Sequence, residues 1–201
     1  MINKLLKVLI IMFSSQAGAE GMPILLGGGI ESIIGTKESF KINIVDEVED
    51  GCLPRPSRLS DKAELVLRRN NFKINDDDSL ATDVFVIYAL GYETVEDLCV
   101  VYLSADLYTT VSAHVPFSDK IESGNKTLIR ANHEVGAGLM AGPKSGMQKR
   151  LEEQANTFTE TFVLNITRAK DHIEENYPSI FEERERMLKK WAEEFSGESE
   201  E

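Results

Sequence analysis

The sequence predicts an α+β fold: a mostly antiparallel sheet of about four strands, two helices packed on one face of that sheet, and a charged C-terminal helix. Three observations support this prediction. One segment near residue 40 alternates apolar and polar residues, three strand-like segments follow between residues 84 and 135, and two segments carry apolar residues at helical spacing. Packing helices on one face of a sheet buries the apolar face of the sheet and the apolar stripe of each helix.

Four segments have the pattern of β-strands. In the first, Phe40, Ile42 and Ile44 alternate with the residues between them, which is typical of a half-buried strand. Residues 84–90 are apolar at almost every position, as in a central strand. Two more strands are expected at residues 98–111, which are rich in Val, Leu, Tyr and Thr, and at residues 127–135, which alternate. Since short loops join the last three, we expect them to pair antiparallel.

Two further segments have the spacing of amphipathic helices. The first has Ser57 or Ser60 as a candidate N-cap and ends at Asn70-Asn71, because asparagine tolerates the left-handed conformation. Ser145 and Gln148 match a capping box at the start of the second. The first helix places on one face Leu59, Ala63, Val66 and Leu67; the second carries a longer stripe of Met147, Leu151, Ala155, Phe158, Phe162, Ile166 and Ala169.

Residues 136–146, between the last strand and the second helix, contain four glycines and Pro143. This composition predicts that the strand pattern ends there and that an irregular segment follows. A glycine-rich loop before a helix can bind an anion through its free N–H groups. The plainer interpretation is a mobile connector, and both interpretations remain open at this point.

Residues 1–19 have the three parts of a cleavable secretory signal peptide: two lysines, an apolar run and a small-residue site. The small side chains of Ala17 and Ala19 predict cleavage before Glu20. The uninterrupted apolar run, residues 8–13, is far shorter than the roughly 20 residues that span a bilayer, so we expect no stable membrane anchor after cleavage.

The rest of the chain divides into three expected parts. Residues 20–38 contain a glycine triplet and predict a flexible lead-in. Residues 39–177 contain the predicted strands and helices and form the globular domain. Residues 178–201 predict a charged helix followed by an acidic tail.

The charged C-terminal helix carries a short apolar strip, formed by Leu188, Trp191 and Phe195. Most strips of this kind pack on their own domain. An exposed strip would be a contact site for a protein partner, because amphipathic helices bind partners through their apolar face.

The chain after the predicted leader contains two cysteines, Cys52 and Cys99. In an oxidising compartment an isolated pair readily forms a disulfide, whereas buried free thiols are the alternative. We expect a disulfide, because the leader predicts a periplasmic or secreted location. Neither cysteine lies in a Cys-x-x-Cys motif, which disfavours a catalytic role.

The composition is acidic, with 22 basic and 34 acidic residues and a formal net charge of −12. This balance argues against nucleic acid as a partner, because phosphate backbones are bound by Lys and Arg. It also argues against adhesion to anionic lipid.

No sequence motif for catalysis, metal binding or cofactor binding is present. His114, His133 and His172 are scattered, and the chain contains neither HExxH nor GxSxG. We therefore expect no cofactor or metal, and expect His133 to be a hydrogen-bonded residue of the sheet.

The favoured function is a non-enzymatic, protein-binding or envelope accessory domain; the alternative is an exported hydrolase or small-ligand-binding protein. A flat apolar patch would favour the first, and a deep pocket at His133 or Gly138 the second.

Overall fold

The computed structural model describes residues 34–77, 82–113 and 127–179, together with Glu182 and Arg186. The elements along the chain are β1 (Ser39–Val48), α1 (Ser57–Arg69), β2 (Lys73–Ile74), β3 (Val84–Val95), β4 (Leu98–Ala113), β5 (Thr127–Pro143) and α2 (Lys144–Asn176). The predicted cleavage site at Ala17, Ala19 and Glu20 lies outside the described residues, as does the strip of Leu188, Trp191 and Phe195.

The strands form one mixed sheet with the order β2-β1-β3-β4-β5. The pairs β3–β4 and β4–β5 are antiparallel, whereas β1 is parallel to both β2 and β3. Helix α1 lies in the connection between β1 and β3, because parallel neighbours need a crossover. The α+β class and the mostly antiparallel sheet are confirmed. Strand β2 was not predicted, since its two residues are too few to show a period.

The core lies between the sheet and the two helices. Every residue of the two predicted helical stripes is buried. Phe162 of α2 is central to this packing: its ring centroid lies 4.8 Å from that of Phe85 on β3 and 5.2 Å from that of Phe40 on β1. The inward positions of β3 and β4 complete the core with Phe85, Ile87, Ala89, Cys99, Val101, Leu103, Ala105 and Leu107.

The prediction for residues 136–146 is wrong. Strand β5 continues through the glycines to Pro143, and α2 begins at the next residue, so neither an anion-binding loop nor a mobile connector is present. Gly136 permits close packing, because a Cβ at this position would lie 2.7 Å from the Phe158 ring. A bulge at Val135 interrupts the pairing just before this segment.

The helix ends agree only in part with the predictions. The stop of α1 is confirmed, with Asn70 as its C-cap and a positive φ of 65° at Asn71. The predicted N-caps are wrong, because α1 and α2 begin directly after Pro56 and Pro143 without a side-chain cap.

Gln148 bonds another part of the chain instead of its own helix terminus. Its Nε2 donates to the carbonyl of Arg55 and its Oε1 accepts from the N–H of Arg55, both at 3.1 Å. The side chain thereby ties the first turns of α2 to the segment that enters α1.

Within the described ranges, no helix is apolar over a length that would cross a bilayer.

Candidate functional site

The face of the sheet that points away from α1 and α2 carries the candidate site. Side chains alternate between the two faces of a strand, so the residues between the buried positions of β3 and β4 point outward. Neither described helix packs on this side. We call it the open face.

The strand register arranges the outward side chains in rows that cross β3, β4 and β5. Starting at the turn between β3 and β4, the first four rows contain no charged residue. These rows are Val95, Leu98 and Pro143; Tyr92, Val100 and Ala141; Leu90, Tyr102 and Leu139; and Tyr88, Ser104 and Ala137. On β1, Val45 lies opposite Tyr88, whereas the charged Glu47 lies opposite Leu90 and borders the third row. We call the four rows on β3, β4 and β5, together with Val45, the uncharged half-face.

Charged residues begin at the next row of the open face. Val86 lies opposite Asp106, which lies opposite Glu134. Further along, Arg130 places its guanidinium 5.4 Å from the centroid of the Tyr108 ring, within the range of a cation–π contact. The open face therefore divides into an uncharged half near the β3–β4 turn and a charged half at the other end.

Several large side chains of the uncharged half-face are well exposed. The exposed fraction is 70% for Leu139, 55% for Tyr92 and 46% for Leu90. Single exposed apolar residues are normal on a protein surface, but contiguous ones mark interaction sites. The contrast with a chain that is 28% charged makes this surface the strongest candidate for a binding site.

A carboxylate at the rim of the half-face is held by a tyrosine. The Tyr88 hydroxyl donates to Glu47 Oε2 at 2.6 Å. This hydrogen bond to the Glu47 carboxylate raises the pKa of Tyr88, since it favours the protonated phenol. The bond fixes the Tyr88 side chain at the border with β1.

The turn beside the half-face is pinned by a group of charges, which we call the turn clamp: Glu93, Asp97 and Lys144. Lys144 Nζ donates to Glu93 Oε2 at 2.8 Å, and the backbone N–H of Asp97 donates to Glu93 Oε1 at 2.5 Å. The backbone N–H of Lys144 donates to the Asp97 carbonyl at 2.8 Å. The Lys144 bond lowers the pKa of Glu93, and the same contact raises the pKa of Lys144.

The predicted disulfide lies beneath the half-face. Cys52 and Cys99 are bonded, with 5.8 Å between their Cα atoms, and both are fully buried. Cys99 lies on the inner face of β4 between Leu98 and Val100, which point to the open face. The bond therefore joins the segment before α1 to the strand at the centre of the candidate site.

The two described histidines, His133 and His172, lie on different elements and do not form a common site. His133 lies on β5, and among the described residues its buried Nε2 has no hydrogen-bond partner, contrary to the expectation of a satisfied sheet residue. His172 is exposed beside Asn176, and His114 falls outside the described ranges. In the part of the chain that the structure describes, no three His, Cys, Asp or Glu side chains converge as metal ligands would.

A cleft of about 930 Å³ lies elsewhere, between the segment before β1, the turn after α1 and the C-terminal part of α2. Two of its lysines are engaged in ion pairs: Lys37 with Asp83 at 2.9 Å, and Lys170 with Glu174 at 3.7 Å. Neither His133 nor Gly138 is among the described residues that line it. This cleft is therefore unlike the pocket that the enzymatic alternative predicted.

The half-face was not predicted from the sequence, although two signals indicate it. Residues 98–105 and residues 135–143 each contain no charged residue. In the fold these two runs are neighbours on β4 and β5. Residues 84–90, predicted to form a central strand, lie in the central strand β3, and the described helices cover one face of it.

Comparisons with known proteins do not assign the chain to a family. No protein-family profile matches it, and no curated protein matches it. Among solved structures, the crystal structure of a minor lipoprotein from Acinetobacter baumannii is similar at 14% sequence identity, with a TM-score of 0.25. The alignment covers 62% of this chain and 93% of the lipoprotein chain. A TM-score this low supports no inference about the present chain.

Proposed function

We propose that this protein is an exported, non-enzymatic domain that binds another protein of the envelope or extracellular space through its uncharged half-face. The observation that carries the proposal is the run of four uncharged rows across three strands, with Leu139, Tyr92 and Leu90 exposed. Tyrosines are enriched in protein interfaces because they combine apolar area with a hydroxyl group.

Two features support export. Residues 1–19 have the composition of a signal peptide. The Cys52–Cys99 disulfide fits an oxidising compartment, because cytosolic proteins keep their thiols reduced. Together they favour the periplasm or the extracellular space.

The shape and charge of the site favour a protein over other ligands. Small-molecule sites are concave and enclose most of the ligand, whereas the half-face is one side of a sheet. Nucleic acids require a basic surface, and these rows contain no lysine or arginine. Both features favour a protein with a matching apolar surface as the ligand.

A pull-down from the host envelope with three forms of the chain tests the proposal. We expect the wild type to retain its partner and Leu139→Asp to lose it, because the substitution buries a carboxylate in the contact. Leu164→Asp is the matched control, since Leu164 is a leucine of α2 that is 47% exposed on the helical side. Equal retention by Leu139→Asp and the wild type would contradict the proposal.

The strip of Leu188, Trp191 and Phe195 is proposed as a second contact with the partner. A chain that ends after Tyr177 should remain folded but bind the partner more weakly. Circular dichroism and the same pull-down measure both properties. A truncated chain that fails to fold would assign the strip to the core and remove it from the proposal.

A further inference from the structure

We propose that the partner of the uncharged half-face is a protein with a basic amphipathic surface. Apolar side chains of the partner cover the four rows, and its lysine or arginine side chains pair with carboxylates at two borders of the half-face. The inference rests on the proposed function, because it names the chemistry of the partner for the same surface.

The first of these borders is on β1. Glu47 lies opposite Leu90 of the third row, and its side chain is exposed. Its Oε2 accepts a hydrogen bond from the Tyr88 hydroxyl, which fixes the carboxylate beside the apolar rows. A cleft of about 600 Å³ lies at this border. Its described lining contains no lysine or arginine and places Leu90 and Tyr92 beside the carboxylates of Asp46, Glu47 and Glu49.

The second border is the first charged row of the open face. It contains Asp106 on β4 and Glu134 on β5, which lie opposite each other. Glu134 is exposed, whereas Asp106 is half-buried and accepts a hydrogen bond from Ser104 Oγ at 3.1 Å. Lys41 and Arg130 lie in rows beyond this one. A partner that covers the half-face therefore meets carboxylates before it meets either of these basic residues.

The carboxylates at the two borders lack the ion pairs that other carboxylates of the chain form. Among the described residues, Glu47, Asp106 and Glu134 are in no ion pair. At the turn, by contrast, Lys144 pairs with Glu93. On the helical side, a basic residue of the same helix pairs with each of Glu64, Glu153 and Glu174. The border carboxylates are thus the charges that a partner's cations can reach and neutralise.

A basic partner satisfies both the apolar rows and their borders. Covering the rows removes water from the neighbouring carboxylates, and a carboxylate that loses water without gaining a hydrogen-bond partner opposes binding. Lysine and arginine supply that partner, while their aliphatic stems pack on exposed groups such as Leu90 and Tyr92. The Tyr92 ring, 55% exposed, also offers a face for a cation–π contact. The net charge of −12 attracts basic proteins and repels acidic ones.

Selection from a random peptide library displayed on phage tests the inference, with the full exported chain as the bait. Peptides that bind the wild type but not Leu139→Asp are those that use the half-face. We expect them to combine apolar residues with lysine or arginine and to carry a net positive charge. Since Leu139→Asp makes the chain more acidic, the overall charge cannot cause its loss of a basic peptide.

Variants that neutralise one carboxylate measure the contribution of each border. Glu47→Gln and Glu134→Gln should each raise the dissociation constant of a selected peptide at least about threefold, and added salt should raise it in the wild type. Glu47→Gln keeps an oxygen that can accept from Tyr88, so its circular dichroism should match that of the wild type. Glu153→Gln, on the helical side, changes the net charge equally and should leave the dissociation constant unchanged.

Two results would overturn the basic partner. One is a set of Leu139-dependent peptides that are neutral or acidic, which would leave the proposed function standing. The other is a dissociation constant that Glu47→Gln and Glu134→Gln change no more than Glu153→Gln does. A library that yields no Leu139-dependent peptide would contradict the proposed function as well.

Discussion

Lys144, the first residue of α2, donates from Nζ to Glu93 Oε2 at 2.8 Å and thereby joins the start of α2 to the end of β3. This bond holds the β3–β4 turn, where the uncharged half-face begins. The charged pair lies on the opposite side of the turn from the apolar rows. The pair thus fixes the position of the turn without lying in the rows of the candidate site.

The turn clamp predicts a dependence of stability on pH. The Glu93 pKa is lower in the folded chain, so its contribution is present above the ordinary glutamate pKa of about 4.3 and is lost as the pH falls through the lower folded value. We expect Glu93→Gln to reduce the free energy of unfolding at neutral pH and to have less effect in acid. Urea unfolding at both pH values measures this difference.

A matched control for the clamp is Glu153→Gln. Glu153 faces Lys149 at 3.7 Å on the exposed side of α2, a geometry in which ion pairs contribute little. Its substitution should leave the unfolding free energy nearly unchanged at both pH values. Equal effects of Glu93→Gln and Glu153→Gln would contradict a specific role of the clamp.

The aromatic cluster predicts a large cost for truncating Phe162. Its ring is fully buried and contacts both Phe85 and Phe40. We expect Phe162→Ala to reduce the free energy of unfolding by about 3–5 kcal/mol, the usual range for a buried phenylalanine. Leu164→Ala, two residues along the same helix but half exposed, should cost less than about 1 kcal/mol. A similar loss of unfolding free energy for Phe162→Ala and Leu164→Ala in denaturant melts would contradict the packing of Phe162 in the core.

Substituting alanine for two glycines of β5 is expected to change stability in different ways. A Cβ on Gly136 would lie 2.7 Å from the Phe158 ring, whereas one on Gly138 would meet no atom within 4 Å. Gly136→Ala should therefore destabilise by about 1–3 kcal/mol through overpacking. Gly138→Ala should be neutral or slightly stabilising, because it removes the flexibility of glycine from a strand. Thermal melts of the two variants distinguish the strand from an irregular loop, in which both would be tolerated.

The disulfide predicts a loss of stability when it is removed. It closes a separation of 47 residues, for which the chain-entropy model gives a stabilisation of about 4 kcal/mol. The Cys52→Ala/Cys99→Ala double variant should therefore melt at a lower temperature. Thiol labelling of the denatured, unreduced wild type should find no free thiol, and two free thiols would refute the bond in the exported protein.

The leader predicts a defined N-terminus. Mass spectrometry of the exported protein should identify Glu20 as its N-terminal residue, because Ala17 and Ala19 have the small side chains that a signal peptidase admits. An intact Met1 in the exported pool would show that residues 1–19 are retained.

Local periodicity was sufficient to determine most of the elements. The stripe from Met147 to Ala169 and the face formed by Leu59, Ala63, Val66 and Leu67 are buried as predicted, since the side chains on one helix face follow from a spacing of 3.6 residues. The α+β class followed from the order of those elements, and the disulfide from a single pair of cysteines.

Only the tertiary structure shows that residues 136–143 continue a strand and where the candidate site lies. Glycines predict a break from local preference, but here the close approach of the Phe158 ring makes glycine the residue that fits at position 136 of the strand. The half-face depends on the register that places Leu90, Tyr102 and Leu139 side by side. These residues are far apart in the chain, and the pairing that joins them is set by packing across the whole sheet, which no local pattern encodes.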